Sequence, residues 1–366
     1  MLYHFPIEPY IERYTSQLCG EGENGWLESR WLENQIPFTR IAPDNKERII
    51  KKGAVLDACD RSKWCFHQLN SFIELIDQNK ITSKDTLYFA DFWHPGIEAL
   101  KYIFHIIKIH PRMYAFCHAQ SVDQNDFTFE MLPWIRHYEK GNGAILDGIF
   151  VNCKALKNLL VKQEVSHPGK IHVHGHIYNS KKVKEMFPDN WGNIKKKKQV
   201  VYSSRIDTEK DPYLFLKLAN YCFSIDPEIK FVVTTSSPEL RSNDPKIVES
   251  FLNYQFPNLD IRVNQTKTQY YETLLESKIQ FNCADQDFIS YCLLEALTCE
   301  CIPVYPNYLS FPEILPKKYL YDKGDYIFAS ELIKQFIHEN FDQDLKFTLM
   351  YHDNTWEKML QTMRII

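Results

Sequence analysis

Residues 281–314 read FNCADQDFISYCLLEALTCECIPVYPNYLSFPEI, and this stretch carries the clearest fold signal in the chain. An apolar, strand-like run over 278–283 leads into a polar turn at 285–287. A helical pattern over 289–298 and a second apolar run at 302–305 follow. This alternation is typical of a strand–loop–helix–strand unit in a parallel α/β sheet. In such sheets the loop after a strand faces the ligand crevice.

Two carboxylates in this stretch are the first candidates for binding a ligand. Asp287 and Glu295 are eight positions apart, so a helix that begins near Asp287 would carry both on one face. Carboxylates at a ligand crevice suit hydroxyl groups, such as those of a ribose or a hexose, better than they suit phosphate. The spacing alone equally allows a buried strand–helix unit with solvated carboxylates.

The pattern around these carboxylates resembles the nucleotide-sugar signature of retaining GT-B glycosyltransferases of the family 4 type. The shared residues are Asp287, Leu294-Glu295-Ala296, Cys299, Ile302-Pro303-Val304 and Pro312-Glu313. The chain departs from the signature with Asp287 in place of the first Glu and with Glu300 where Gly is usual at a tight turn. The resemblance implies that Glu295 holds the donor ribose hydroxyls, and that Asp287 holds the sugar hydroxyls and is a catalytic residue.

A second element resembles the same family. Ser204-Arg205 follows a predicted strand at 199–203, and Lys210-Asp211-Pro212 opens the next helix, with Ser204 where the family has Gly. A departing nucleoside diphosphate develops negative charge, and Arg and Lys side chains neutralise it. The resemblance therefore makes Ser204, Arg205 and Lys210 donor-binding residues, the last two also catalytic. It further implies that no metal or tightly bound cofactor is required.

The expected architecture is α/β, with two Rossmann-like domains facing a cleft and a C-terminal helix that crosses back to the first domain. We predict an acceptor domain over 1–178, a linker over 179–198, a nucleotide-sugar domain over 199–344 and the returning helix over 345–366. Strands at 38–42 and 53–56 are predicted within the first domain. Pro188, Gly192 and the lysine run 195–198 indicate the linker. The lysine run either forms a solvated surface or attracts a polyanion.

Composition excludes several other classes of protein. The 366 residues carry a net charge of −4, which gives no general basic field for nucleic acid, although a local basic groove stays possible. No apolar run approaches the ~20 residues that cross a bilayer, and residues 1–4 do not resemble a signal peptide. Ten cysteines without framework spacing indicate a reducing compartment, so we expect a cytoplasmic protein. The chain lacks the GxGxxG and Walker patterns of dehydrogenases and NTPases.

Two strands of the first half end in histidine-bearing loops. The predicted strand at 86–90 precedes Trp93 and His94, and the strand at 112–117 precedes His118. His118 resembles the histidine that retaining GT-B enzymes place against the donor sugar, so it is a catalytic candidate. Trp93 and His94 are candidates for acceptor binding, although the sequence His-Pro-Gly also makes a good turn.

The first loop supplies the remaining acceptor candidates. Arg13, Tyr14 and Thr15 follow the predicted strand at 2–5, at a position where many families carry glycines near the donor phosphate. They are candidates for acceptor or donor contacts, and a solvated turn explains them equally well.

Two patterns in the sequence have the form of metal-binding motifs, and we attribute both to structural roles. His172, His174 and His176 alternate, which would align imidazoles on one strand face only if the strand continued through Gly175. Asp285-Gln286-Asp287 has the DxD form but opens a helix in the second half. We therefore predict no metal site.

The acceptor is inferred from a further resemblance. The segments around His118 and Glu295 resemble those of phage DNA α-glucosyltransferases. The aromatic-rich segment 5–31 could stack on a flipped base. The favoured function is transfer of a sugar from a UDP-sugar to a hydroxymethylated pyrimidine in double-stranded DNA, in the host cytoplasm if the gene is a bacteriophage's. The alternatives are a lipid or cell-surface glycan acceptor, or a protein that binds a glycan or nucleotide sugar without turnover.

Overall fold

The computed structural model describes residues 1–10, 14–43, 57–118, 121–288 and 290–366. The chain divides into two compact units: unit 1 comprises Met1–Asn179 with His352–Ile366, and unit 2 comprises Ser180–Tyr351. The predicted strand at 53–56 and the candidate Arg13 lie outside the described residues.

Unit 1 is built on a six-stranded parallel sheet in the order β2-β1-β3-β4-β5-β6. The strands are β1 (Leu2–Phe5), β2 (Phe38–Arg40), β3 (Thr86–Phe89), β4 (Arg112–Phe116), β5 (Gly148–Val151) and β6 (Ile171–Val173). The sequences of β3, β4 and β5 are almost continuously apolar because helices cover both faces of a parallel sheet.

The helices of unit 1 are α1 (Tyr14–Leu18), α2 (Trp26–Glu33), α3 (Ala58–Asp77), α4 (Gly96–Ile107), α5 (Leu132–Ile145), α6 (Lys154–Lys162) and α15 (Thr355–Thr362). Helix α5 was not predicted, because its sequence includes two glycines that weaken a helical pattern. Packing explains Gly143: a Cβ there would lie 1.8 Å from the carbonyl oxygen of Val165. The chain after α5 must approach this helix closely, and only glycine allows it.

Unit 2 contains a second six-stranded parallel sheet, in the order β12-β11-β10-β7-β8-β9. Its strands are β7 (Lys197–Tyr202), β8 (Lys230–Thr234), β9 (Leu259–Arg262), β10 (Ser277–Phe281), β11 (Ile302–Pro306) and β12 (Leu320–Tyr321). The chain builds outward from β7 and then returns to its other side at β10, which is the doubly wound arrangement of a dinucleotide-binding fold. The predicted α/β class is confirmed.

The helices of unit 2 are α7 (Ser180–Lys184), α8 (Pro212–Ile225), α9 (Pro245–Leu252), α10 (Lys267–Glu276), α11 (Tyr291–Thr298), α12 (Phe311–Ile314) and α13 (Tyr326–Phe336). Helix α14 (Gln343–Asp353) begins in unit 2 and ends in unit 1. The segment expected to be a linker, 179–198, contains α7 and the start of β7. The C-terminal segment forms two helices, α14 and α15, separated at Asn354.

None of the helices in the described ranges is both long enough and apolar enough to span a bilayer.

Candidate active site

The candidate donor residues of unit 2 meet at the carboxyl edge of its sheet. The loop that carries Arg205 and Lys210 follows β7, and the loop at 285–287 follows the neighbouring strand β10. The chain reverses its direction of winding between these two strands, and ligands of doubly wound sheets bind at this switch point. The two halves of the predicted donor site are therefore adjacent.

Lys210 joins the two loops. Its ammonium donates to the backbone carbonyl of Gln286 and to the Gln286 side-chain oxygen at 3.2 Å, and it lies 3.9 Å from a carboxylate oxygen of Asp287. The Glu209 carbonyl accepts from the backbone N–H of Asp285 at 2.8 Å. Only 11% of the Lys210 side chain and 12% of the Asp287 side chain are exposed, so this cation has little competition from water.

Arg205 lies in the same loop but is more open to solvent. Its guanidinium pairs with Asp207 at 2.6 Å and with Glu209 at 2.7 Å, and 52% of its side chain is exposed. The buried Tyr202 hydroxyl donates to the carbonyls of Arg205, at 3.2 Å, and Lys210, at 3.1 Å, which ties the loop to the end of β7. Ser204, which precedes Arg205 in this loop, is half-buried.

The start of α11 differs from the sequence-based expectation. The helix begins at Tyr291, and the Ser290 side chain caps it by accepting from the Leu293 N–H at 3.2 Å. The expectation that Asp287 and Glu295 share one helical face is therefore wrong, because Asp287 precedes the cap. Asp287 instead belongs to the loop that contacts Lys210.

Glu295 is buried and held by three donors from α10. Lys267 Nζ lies 2.8 Å from Oε1, the Tyr271 hydroxyl donates to Oε1 at 2.9 Å, and the Tyr270 hydroxyl donates to Oε2 at 2.9 Å. Sequence reasoning missed these donors. Their i, i+3 and i+4 spacing at the start of a helix was the available signal, together with the capping box of Thr266 and Gln269.

Glu300 preserves the turn that the family pattern assigns to glycine. It has φ +56°, in the left-handed region. The N–H of Cys301 donates to the Ala296 carbonyl at 2.8 Å and the N–H of Glu300 to the Leu297 carbonyl at 3.0 Å, which is the Schellman pattern of a helix end. The departure at Glu300 therefore adds backbone strain without changing the path of the chain.

His118 lies at the carboxyl edge of the unit 1 sheet, after β4. Its Nε2 is 3.0 Å from the Ala90 carbonyl oxygen, and because a carbonyl only accepts, Nε2 carries the proton and Nδ1 is the acceptor. Burial lowers the pKa of His118, although Asp91 acts in the opposite direction, so the ring is neutral at physiological pH. The ring of Tyr14 lies 6.2 Å away, which brings two of the candidates together.

Other acceptor candidates have structural partners. The His94 ring is buried; Nδ1 accepts from the Gly96 N–H at 2.9 Å and Nε2 lies 3.0 Å from the Gln68 side-chain oxygen. This histidine shapes the turn before α4, and both ring nitrogens are engaged in doing so. The Thr15 hydroxyl accepts from the Tyr10 N–H at 3.3 Å.

Trp93 is bound to a buried carboxylate of α5. The indole N–H donates to Glu139 Oε1 at 3.0 Å, and Ser121 donates to the same carboxylate from its backbone at 3.0 Å and from its hydroxyl at 2.7 Å. Glu139 thereby joins the loop after β3 to the loop after β4. No sequence pattern singled out this residue, because it belongs to the helix that was not predicted.

A buried ionic group lies at the switch point of the unit 1 sheet and was also missed. Arg61 of α3 pairs with both oxygens of Glu8, at 3.1 and 3.0 Å, and with Asp91, which follows β3. Burial raises the pKa of Glu8. Burial is also the largest single influence on Asp91 and acts to raise its pKa. However, Arg61, His118 and the Trp93 N–H together lower that pKa below its ordinary value. One cation thus faces two carboxylates at this edge.

The motifs that sequence analysis discounted have ordinary structural roles. His172 and His174 stack at 6.1 Å, but β6 ends at Val173 and Gly175 has φ +88°, so the alternation does not continue to His176. Within the ranges that the structure describes, no three metal-ligating side chains gather. In the lysine run, the Lys196 ammonium is bound to carbonyl oxygens of Cys299, Ser277 and Leu274, and Lys197 and Lys198 pair with glutamates. These partners favour a structural interpretation of the run.

The described geometry is that of the GT-B class of glycosyltransferase folds. Sucrose-phosphate synthase from Thermosynechococcus elongatus has the same fold: its TM-score is 0.67 at 10% identity, over 99% of this chain and 98% of that one. A UDP-forming α,α-trehalose-phosphate synthase from Burkholderia vietnamiensis gives 0.61 at 11% identity, over 86% and 78%. At this level of identity the likeness establishes the fold alone.

The chain also resembles curated proteins in sequence. The chain is 30% identical over 129 residues to the tRNA-queuosine alpha-mannosyltransferase of Drosophila melanogaster. The match covers 34% of this chain and 33% of that protein, so it spans about a third of the relative's length. No protein-family model matches the chain.

Proposed function

We propose that this protein is a retaining glycosyltransferase that moves a sugar from a nucleoside-diphosphate sugar to a hydroxyl group on a modified nucleobase. The observation that carries the proposal is the meeting of Lys210 and Asp287 at the switch point between β7 and β10. A cation for the diphosphate and a carboxylate for sugar hydroxyls are what a nucleotide-sugar donor requires at one place.

The reaction follows from the charges at this edge. The bond between the anomeric carbon and the β-phosphate oxygen breaks, and the new bond forms from that carbon to the acceptor oxygen, whose proton leaves with the diphosphate. Lys210 and Arg205 would stabilise the negative charge on the leaving diphosphate. Asp287 would hold sugar hydroxyls, Glu295 a ribose hydroxyl, and Ser204 would lie beside the phosphate. Because two side-chain cations supply this charge, we propose transfer without a metal ion.

UDP-sugars are the proposed donors. The trehalose-phosphate synthase of the same fold is described as UDP-forming, and the Staphylococcus aureus protein TarM, with a TM-score of 0.52, was solved in complex with UDP. Both structures support a UDP-sugar as the first donor to test, with GDP-sugars as the second series.

Two modified bases are proposed as acceptors. The resemblance around His118 and Glu295 favours a hydroxymethylated pyrimidine in DNA, which would place the protein in phage DNA modification. The match to a tRNA-queuosine mannosyltransferase favours queuosine in tRNA. In both cases a hydroxyl carried by a base is glycosylated, and the neutral His118 could accept a hydrogen bond from such a hydroxyl through Nδ1.

The first test measures nucleoside diphosphate released from UDP- and GDP-sugars. Each donor is incubated alone, with DNA containing hydroxymethylcytosine or hydroxymethyluracil, and with queuosine-containing tRNA. Release stimulated by one nucleic acid, with the matching mass gain on its nucleoside, is the expected result. Release that no nucleic acid stimulates would move the acceptor to glycans or lipids. No release and no donor binding would overturn the proposal.

Single substitutions test whether Lys210 and Arg205 stabilise the leaving diphosphate. Lys210→Ala and Arg205→Ala are each expected to lower transfer by about 10²–10³-fold, because each removes charge stabilisation of the leaving group. Lys246→Ala, which removes an exposed lysine of α9, is the matched control and should leave transfer unchanged. If the protein binds its ligand without turnover, neither the unaltered chain nor any variant would transfer sugar. Loss of transfer on addition of EDTA would contradict the metal-free reaction.

A further inference from the structure

The carboxylate of Glu295 is buried and accepts hydrogen bonds from three side chains of one helix. Only 5% of its side chain is exposed, and α10 supplies three hydrogen-bond donors to it: Lys267 and Tyr271 to Oε1 and Tyr270 to Oε2. A buried carboxylate needs such partners, because an unpaired buried charge costs several kcal/mol.

The donors form one face at the start of α10. Lys267, Tyr270 and Tyr271 are at positions i, i+3 and i+4, which places them side by side on a helix. The Lys267 ammonium also lies 5.0 Å from the centre of the Tyr270 ring and 5.4 Å from that of Tyr271, so the three side chains support one another. Helix α10 follows β9, and its first turn therefore lies at the same edge of the sheet as Arg205 and Lys210.

The number of acceptor positions limits what this carboxylate can bind. A carboxylate offers about four lone-pair positions, two on each oxygen. The contacts of the described residues occupy both positions on Oε1 and one on Oε2. Among the described residues, no donor occupies the second acceptor position on Oε2.

We propose that Lys267, Tyr270 and Tyr271 are positioning residues that restrict Glu295 to one ribose hydroxyl of the donor nucleotide. The inference rests on the proposed function and deepens it on the donor side. A ribose offers adjacent 2′ and 3′ hydroxyls, and a carboxylate with two open positions can accept from both. With a single open position on Oε2, the protein recognises one of the two hydroxyls and is indifferent to the other.

Nucleotide binding to the full chain tests this inference. Calorimetry would compare UDP with 2′-deoxy-UDP and 3′-deoxy-UDP, or the corresponding GDP forms if GDP binds more tightly. We expect one deoxy form to bind ~10-fold or more weakly, as loss of a hydrogen bond to a charged group predicts. The other deoxy form should bind within about twofold of the parent, since it keeps that bond.

Tyr270→Phe provides the sharper measurement. It removes only the hydroxyl that occupies Oε2, so a second position opens and both deoxy forms should then bind more weakly than the parent. Tyr254→Phe is the control, since it removes a tyrosine hydroxyl bonded to Asn258 elsewhere in unit 2. Its discrimination pattern should equal that of the unaltered chain.

The outcomes separate this inference from the proposed function. Equal weakening by both deoxy forms, or by neither, in the unaltered chain overturns the single-hydroxyl inference while donor binding itself stands. A discrimination pattern that Tyr270→Phe does not change overturns the role of α10. Absence of any nucleoside diphosphate binding overturns both proposals.

Discussion

In each unit a charged side chain joins the loops that follow two neighbouring strands. That charge is negative in unit 1 and positive in unit 2. In unit 1 a buried carboxylate, Glu139, accepts from Trp93 after β3 and from Ser121 after β4. In unit 2 an ammonium, Lys210, donates to Gln286 across the switch point. Two similar sheets therefore present different chemistry at the same edge. The proposed function assigns the donor diphosphate to the unit 2 edge, where Lys210 supplies a positive charge.

The two units also differ in their number of histidines. Of the 13 histidines, His338 is in unit 2 and the other twelve are in unit 1. Several of those in unit 1 are buried as neutral rings: burial lowers the pKa of His94 and of His352 to about 3 and that of His174 to about 4. The His94 and His352 rings accept backbone hydrogen bonds through Nδ1, which a protonated ring cannot do.

The largest expected effect is a loss of stability in unit 1 at mildly acidic pH. Because the folded pKa values lie below the unfolded value of about 6.5, the unfolded chain takes up protons first as the pH falls. The neutral histidines contribute their full stabilisation of the folded state above about pH 6.5. This stabilisation is lost as the pH falls towards their pKa values in the folded protein, at roughly 1.4 kcal/mol per histidine per pH unit. The two fully buried rings, His94 and His352, together give about 3 kcal/mol per pH unit.

Hydrogen exchange read by mass spectrometry between pH 7.5 and 5 would measure this loss. Peptides of unit 1 should lose protection before those of unit 2. His338→Gln, a change at the exposed histidine of unit 2, should not alter the pattern. Earlier loss in unit 2 would contradict the contrast between the units.

The next effect concerns the carboxylate that joins the loops of unit 1. Glu139→Ala leaves the Trp93 indole and the Ser121 donors without their acceptor, and we expect a loss of about 3 kcal/mol in the free energy of unfolding. Glu139→Gln keeps an acceptor oxygen and should cost less than half as much. Urea denaturation measures both, with Glu74→Ala on the exposed side of α3 as control. Equal losses for Glu139→Ala and Glu74→Ala would show that Glu139 does not hold these loops.

The smallest expected effect is a gain in stability shared by both units. Glu164 after α6 and Glu300 after α11 have φ +55° and +56° and end their helices with the same hydrogen-bond pattern. Glycine adopts this conformation without strain. Glu164→Gly and Glu300→Gly should each stabilise the protein by about 0.5–1 kcal/mol. Thermal unfolding would measure the gains, and a loss at either site would contradict the shared turn.

The sequence was informative wherever the pattern was local. Apolar runs separated by helical periods located β1–β4, β7, β10 and β11 to within a few residues, because burial on both faces makes parallel strands continuously apolar. The spacing of Arg205, Lys210 and Asp287 placed them after β7 and β10, at one edge. Helix α5 escaped prediction because its glycines are required by packing against Val165, which is a distant contact.

The sequence by itself determined the α/β alternation and the residues available at each sheet edge, since both follow from hydrophobic period and chain order. Tertiary structure decided which of these residues are already engaged. Only the packing of α10 against α11 shows that Lys267, Tyr270 and Tyr271 hold Glu295, and only the buried turn before α4 shows that His94 is a structural residue. Hydrogen-bond partners separated by many positions are set by the assembled fold, and no local pattern encodes them.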